Sequence, residues 1–175
     1  MGGNLLITGR PGVGKTTVLR KVADHFGSGA IGFLTEEIRE QGKRVGFKVS
    51  TLDGREGLLA HVDVSSPYRV GRYGVLVSDF ELVAVDPLFR QLNEARLVIL
   101  DEIGKMELYS KKFVELIFTL LDHPIPLLAS ITERPHPLAD AIKQRPDVEL
   151  IAVSPSNRNH LPERLVGRLE KMLKV

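Results

Sequence analysis

Residues 9–16 read GRPGVGKT, a full match to the spacing G-x-x-x-x-G-K-[ST]. These residue types in this order specify one kind of chemistry, the cradling of a polyphosphate. Gly9, Gly12 and Gly14 permit positive φ and close backbone approach, while Pro11 stiffens the loop. The loop N–H groups then point inward at the positive end of the helix that follows. Lys15 bridges the β- and γ-phosphate oxygens as a point charge, the Thr16 hydroxyl ligates Mg²⁺, and Thr17 adds a hydroxyl near the α-phosphate. A second segment supplies carboxylates. Leu97 to Leu100 is wholly apolar and runs into Asp101-Glu102, the Walker B form, in which a buried strand delivers Asp101 to the sheet edge where ligands bind. There Asp101 holds Mg²⁺ through water. Glu102, next in line, can polarise an attacking water as a general base, and an Asp-Glu pair at this place points to hydrolysis rather than to a kinase. The other reading of Glu102 is a solvated loop carboxylate.

The elements that must position these residues are legible in the hydrophobic pattern. Asn4 to Thr8 reads as a short buried strand, and from Lys15 the period turns helical, with Val18, Leu19, Val22, Ala23 and Phe26 on one face and Gly27 and Gly29 at its end. Ala30 to Leu34 is a second strand leading into Thr35-Glu36-Glu37. Val45 to Thr51 alternates as a half-buried strand does, Leu52-Asp53-Gly54-Arg55 supplies a hairpin turn, and Leu58 to Val64 returns. Tyr73 to Val77 can add one more strand. A helix is expected next, with Asp86 as N-cap and Pro87 at its first position. Further on, Phe113 to Leu121 is an amphipathic helix stopped by Pro124. Leu127 to Ile131 and Val148 to Val153 are apolar strands, with a short helix opened by Pro137 between them and a last helix opened by Pro162. Strands alternating with amphipathic helices predict an α/β fold with a mostly parallel sheet, interrupted by an antiparallel hairpin insertion. If Glu102 belongs to the hydrolysing branch, another strand separates the Gly9 strand from the Asp101 strand, and the five parallel strands run 5-1-4-3-2.

Composition removes other classes. The chain has 175 residues, 24 Lys+Arg against 22 Asp+Glu, no Cys and no Trp, so one domain over residues 1–175 is expected, without a disulfide framework or a catalytic thiol. Its five His never fall at the spacing of a zinc helix or finger. No apolar run approaches a membrane span. The MGGNLLITG start has neither the form of a signal peptide nor the Ser or Thr that a Met-Gly myristoylation pattern wants where Leu6 stands. A cytoplasmic protein without membrane or nucleic-acid partners is expected, a monomer rather than an oligomer. Net charge of +2 leaves no basic arm for nucleic acid.

GRPGVGKTT, then GFLTEEIREQGKRVGFKV (32 to 49), LDEIGKMEL (100 to 108) and NRNHL (157 to 161) occur in that order. Together they resemble the nucleoside-triphosphatase family that includes the human cancer-related nucleoside-triphosphatase, over nearly the whole chain. The phosphate loop is generic, whereas DEIGKMEL and TEE-x-R with GKRVGF after it are more diagnostic. The resemblance implies a P-loop NTPase of RecA-like, three-layer fold that hydrolyses ATP, GTP and other nucleoside triphosphates with Mg²⁺. It implies a nucleotide-binding loop from Gly9 to Thr17, taking in Arg10, Pro11 and Val13. It also implies a Walker B segment from Asp101 to Leu108, taking in Glu102, Ile103, Gly104, Lys105, Met106 and Glu107.

Several residues keep two readings. Lys105 can reach the γ-phosphate and supply in cis the charge of an arginine finger, or pair on the surface with Glu107 or Glu102. One of Glu36 and Glu37 can orient water or Mg²⁺, or both can hold Arg39 and Arg44 in a salt-bridge network. Arg158, in Asn157-Arg158-Asn159, can stack on a base of any kind, or the segment can be a capping turn. Arg134, after the fourth parallel strand, stands where a finger residue can act, in the stretch that matches the family least well. Two other functions fit the loop: a small nucleotide or metabolite kinase, for which 133–146 makes a poor Arg-rich lid, and a nucleotide-gated module that binds RNA or protein through the hairpin carrying Lys48, Arg55 and His61.

Overall fold

The computed structural model describes residues 3–174. Met1 and Gly2, the Met-Gly start considered above, lie outside them. The strands are β1 (Asn4–Thr8), β2 (Ala30–Glu40), β3 (Lys43–Thr51), β4 (Glu56–His61), β5 (Arg69–Val70), β6 (Tyr73–Val75), β7 (Leu97–Ile103), β8 (Leu127–Ile131) and β9 (Val148–Ala152). The helices are α1 (Lys15–Phe26), α2 (Val77–Phe80), α3 (Asp86–Gln91), α4 (Lys111–Leu121), α5 (Pro137–Lys143) and α6 (Leu161–Leu173).

The nine strands found among the described residues form one sheet in the order β5-β6-β4-β3-β2-β7-β8-β1-β9. Its parallel part, β9-β1-β8-β7-β2, has the 5-1-4-3-2 order expected for the hydrolysing branch. β8 lies between the strand that enters the phosphate loop and the strand that carries Asp101. The insertion continues the same sheet beyond β2 through antiparallel pairs. Helices cover both faces. Leu5, Ile7, Leu97 and Ile99 pack with Val18, Leu19, Leu165 and Leu169 of α1 and α6. Leu6, Val98 and Leu100 pack with Phe80, Leu88, Phe113, Leu116 and Ile142 of α2 to α5. Successive strand residues thus feed opposite cores, the period-2 rule of a sheet buried on both sides.

Three expectations are corrected. β2 does not end at Leu34 but runs to Glu40, because Gln41 (φ 50) and Gly42 (φ 77) form a tight turn that lets β3 pair back along Phe33 to Glu40. Thr35, Glu36 and Glu37 are therefore strand residues, not loop residues. β7 likewise continues through Asp101 and Glu102 to Ile103. Finally, Asp86 is not an N-cap. Helical backbone starts at Val77, and Glu81–Val85 forms a wide π-type turn before Asp86. Pro87 lacks an N–H and its ring crowds the preceding turn, and a shift in helical register at that point accommodates both defects.

Candidate active site

The phosphate loop joins β1 to α1. Gly14 (φ 116) is the N-cap of α1, with no side-chain cap and no acid in the first turn. The positive end of the helix therefore faces the loop with no acid of its own first turn against it. Gly12 (φ 80) shares the left-handed region with Gly14, whereas Gly9 is needed for crowding: a Cβ there would lie 2.9 Å from the Val153 carbonyl oxygen and from Val13 Cγ1. The Val13 side chain is buried with Leu5, Val18 and Val153. Burial of this kind contributes roughly 1.5–3 kcal/mol, which anchors the loop and leaves Val13 only its backbone for a ligand. Lys15 folds over the loop, its Nζ donating to the Gly9 carbonyl at 2.5 Å and lying 3.8 Å from Glu102 Oε2.

Asp101 is 2% exposed and surrounded by donors. Thr16 Oγ1 donates to Oδ2 at 2.7 Å and Ser130 Oγ to Oδ1 at 2.6 Å. The N–H and Oγ1 of Thr35 both approach Oδ2 at 3.4 Å. Several hydrogen bonds to one carboxylate fix its orientation. This donor set suits Mg²⁺, a hard cation that takes oxygen ligands and is held by one or two protein groups together with substrate phosphates. A Thr16 hydroxyl that gives its proton to Asp101 keeps both lone pairs for a cation.

Glu102 is partly enclosed, its side chain 30% exposed. Burial pushes its carboxyl above the usual range; Lys15 and Arg134 act against the rise, and Asp101 adds to it. Behind it lies Glu107, 5% exposed. Burial drives this carboxyl well above the usual range, Glu102 and Asp101 reinforce the effect, and the backbone amides of Glu107 and Gly104 oppose it. A carboxyl whose folded pKa is raised makes the folded state bind more protons than the unfolded chain. Its contribution to stability is complete below the ordinary pKa of 4.5 and is lost as pH rises toward the folded value. The melting temperature of wild type minus that of Glu107→Gln should therefore fall as pH rises through this window. Parallel pH profiles for the two proteins would refute a raised Glu107 pKa.

The sequence model of the NTPase family matches residues 4–166. The chain belongs to the NTPase family. It is 47% identical over 95% of both chains to a protein of Thermotoga sp. strain RQ2 named nucleoside-triphosphatase THEP1. It is 41% identical to the protein of that name from Aquifex aeolicus, covering 95% of this chain and 99% of that one. The fold of this NTPase matches the crystal structure of THEP1 from Aquifex aeolicus with a TM-score of 0.89, at 40% identity over 95% of this chain and 99% of that one. It matches the solution structure of a human cancer-related nucleoside triphosphatase with a TM-score of 0.82, at 35% identity over 97% and 98%. The protein is thus a nucleoside-triphosphatase with a P-loop NTPase fold.

In this NTPase Thr16 meets Asp101 and Lys15 approaches Glu102, but the stretch 101–108 does not face the loop as a whole. Ile103 and Leu108 are buried in the core with Phe113 and Ile131, Met106 packs against that core, and Glu107 is buried. Gly104 is enclosed between carboxyl groups. Of the expected nucleotide contacts in this segment, the side chains of Ile103, Met106, Glu107 and Leu108 are corrected to structural positions. The chain leaves the buried strand through a short helical turn (Glu107–Tyr109) that folds back on the core and buries Glu107 and Leu108. Lys105 is exposed and, among the described residues, forms no ion pair with Glu102 or Glu107; Glu102 pairs with Lys15 instead.

Glu36 and Glu37 are held in ion pairs, as the structural reading expected, with partners that only partly match it. Glu37 meets Arg39 at 2.8 Å and Arg44 at 3.2 Å. Glu36 meets Arg20 of α1 at 2.6 Å and Lys48 at 3.4 Å, and the Arg20 hydrogen bond lowers its pKa. Asn157 serves its own turn, accepting from Ser154 N–H and donating to the Ala152 carbonyl. Arg158 leaves the turn and lies over the loop, donating to the Val13 carbonyl at 3.2 Å, with Cδ 3.4 Å from where a Gly14 Cβ would be. His136 caps α5. Ser130 is the residue that sequence reasoning missed. Its signal was a lone hydroxyl in the apolar run LLASI, and its role becomes visible only once β8 is known to lie beside β7.

No helix among the described residues is long and apolar enough to cross a membrane. A cleft of about 360 Å³ lined by Ser28, Ile31, Leu52, Asp53 and Gln91 lies at the start of β2. That is the opposite end of the parallel sheet from the phosphate loop.

Proposed function

We propose that the protein hydrolyses nucleoside 5′-triphosphates, ATP and GTP among them and CTP and UTP as well, to the diphosphate and phosphate, with Mg²⁺ and little preference among bases. The observation that carries this reading is the pairing of an uncapped helix end and Lys15 with two adjacent carboxylates of different surroundings. Asp101 is fixed by Thr16 and Ser130, whereas among the described residues no hydrogen bond to the Glu102 carboxyl is formed and Lys15 lies 3.8 Å from it. Thr16 and Asp101 would hold Mg²⁺, which when bound neutralises phosphate charge. Lys15 and the loop amides bind and orient the phosphates. Glu102, whose carboxyl is pushed up by burial while Lys15 favours its charged form, takes a proton from water as it attacks the γ-phosphorus, and the β–γ bridging oxygen leaves with the diphosphate.

Lys105 and Arg134 are the exposed cations available for charge that develops on the γ-phosphoryl group. Arg134 acts on Glu102, and its turn is tied to β7 by Thr132 N–H donating to the Ile103 carbonyl at 3.0 Å, which favours Arg134 in that role. Arg158 beside Gly14 offers a planar cation to any base, and a chain without Trp has no indole to grip one, which supports broad substrate use. One cytoplasmic domain acting as a monomer completes the proposal.

The test is a turnover panel of the four common ribonucleoside triphosphates with and without Mg²⁺. The expected result is release of phosphate from all four, with kcat/KM values within about tenfold of one another, since stacking without hydrogen-bond readout discriminates weakly. Activity should vanish on chelation. Turnover of a single base, or diphosphate formed only when an acceptor is added and without free phosphate, would overturn the reading, the latter in favour of a kinase.

A further inference from the structure

The carboxyl of Glu107 is absent from the mechanism above, yet its placement is costly. A carboxyl withdrawn from water without a basic partner loses hydration that apolar neighbours cannot replace. Glu107 is 5% exposed, and the charges that act on its carboxyl are those of Glu102 and Asp101, both of its own sign, opposed by the backbone amides of Glu107 and Gly104. Such a residue is destabilising unless it is kept as the neutral acid, with one proton to donate and one oxygen to accept.

Gly104 shows where the carboxyl points. A Cβ built on Gly104 would lie 2.6 Å from Glu102 Oε1 and 3.2 Å from Glu107 Oε2. The two carboxyl groups thus converge on the space beside one backbone position, and any side chain at 104 would occupy the space between them. The turn that brings them there is fixed by Leu108 N–H donating to the Gly104 carbonyl at 2.9 Å and Ser110 N–H to the Glu107 carbonyl at 3.0 Å.

We propose that Glu107 is a positioning residue, whose buried carboxyl holds the Glu102 carboxylate in the orientation that activates water, across a gap that only glycine at position 104 leaves open. This rests on the hydrolytic reading with Glu102 as base. Glu102 in the free protein has Lys15 on one side at 3.8 Å, and Lys15 must turn to the phosphates when a triphosphate binds. At that moment Glu107 is the group that keeps Glu102 from following the lysine or rotating into solvent.

The experiment compares Glu107→Leu, Glu107→Gln and Gly104→Ala with wild type and Glu102→Gln, reading kcat and KM for MgATP, the Kd of a non-hydrolysable ATP analogue, and Tm. Misplacing a reacting group by about 1 Å costs about 10²-fold, so Glu107→Leu and Gly104→Ala should lose turnover to about that extent, with analogue Kd within about twofold of wild type. Gly104→Ala should keep its Tm, because the atom its Cβ meets is the far end of a flexible side chain. Glu107→Gln retains size and a donor, and should recover kcat to within about tenfold of wild type. Wild-type kcat in Glu107→Leu overturns the proposal. So does a Glu107→Gln enzyme as slow as Glu107→Leu, or analogue affinity that falls in step with kcat. If Glu102→Gln is as active as wild type, the general-base reading falls and this proposal with it. If Glu102→Gln is inactive and Glu107→Leu is not, only the positioning role is lost.

Discussion

Glu102→Gln is expected to bind nucleoside triphosphates as tightly as wild type or more tightly, while kcat falls by about 10²–10⁴-fold, the usual contribution of a positioned general base. Gln matches Glu in shape and accepts hydrogen bonds, but it cannot take a proton from water. Affinity is expected to hold because, on the proposed reading, the loop amides, the uncapped N-terminus of α1 and Lys15 bind the triphosphate, and the substitution touches none of them. It can rise because Glu102 competes for Lys15 at 3.8 Å, and its removal leaves that ammonium uncompensated for the phosphates. Pre-steady-state binding and single-turnover hydrolysis separate the two quantities. Loss of affinity in proportion to turnover would mean that Glu102 serves binding rather than proton transfer.

Lys15→Ala should abolish tight triphosphate binding. Removing one partner of a desolvated charge pair costs roughly 2–5 kcal/mol, about 30-fold to several thousand-fold in Kd. The Lys15 ammonium has a side chain only 10% exposed and sits at the Gly9 carbonyl, which keeps it at the loop where it can reach the phosphates. The same substitution removes the larger of the two cations that lower the Glu102 pKa, leaving Arg134. Residual turnover in Lys15→Ala should therefore need higher pH than in wild type, since a base whose pKa is raised stays protonated further up the scale. Fluorescent-analogue titration and the acid limb of kcat against pH measure the two effects. Unchanged affinity would remove Lys15 from the cradle.

These expectations differ in how early they could be formed. Gly9 to Thr17 is contiguous, so loop, lysine, hydroxyl and helix start are fixed by local spacing, and the sequence suffices to read them. The apolar run before Asp101 identified a buried parallel strand, and the Asp-Glu pair led to the strand order that the sheet displays. The insertion was read as a hairpin because Asp53-Gly54 is a local turn signal. The Gln41-Gly42 turn passed unnoticed, and with it the extension of β2 that makes Glu36 and Glu37 strand residues.

Residues a few positions apart and the hydrophobic period are enough to predict a phosphate loop and to read the class of fold, because both signals are local. Only the tertiary structure decided which charges meet. Lys15 reaches Glu102 and Thr16 reaches Asp101 across β1, β8 and β7, Ser130 completes Asp101 from the neighbouring strand, and Glu36 finds Arg20 on α1. It also decided that Glu107, read from its motif as a nucleotide contact, is turned inward. The physical reason is that sheet order and register bring together residues far apart in the chain, and whether a carboxyl faces water, a lysine or another acid determines what it can do.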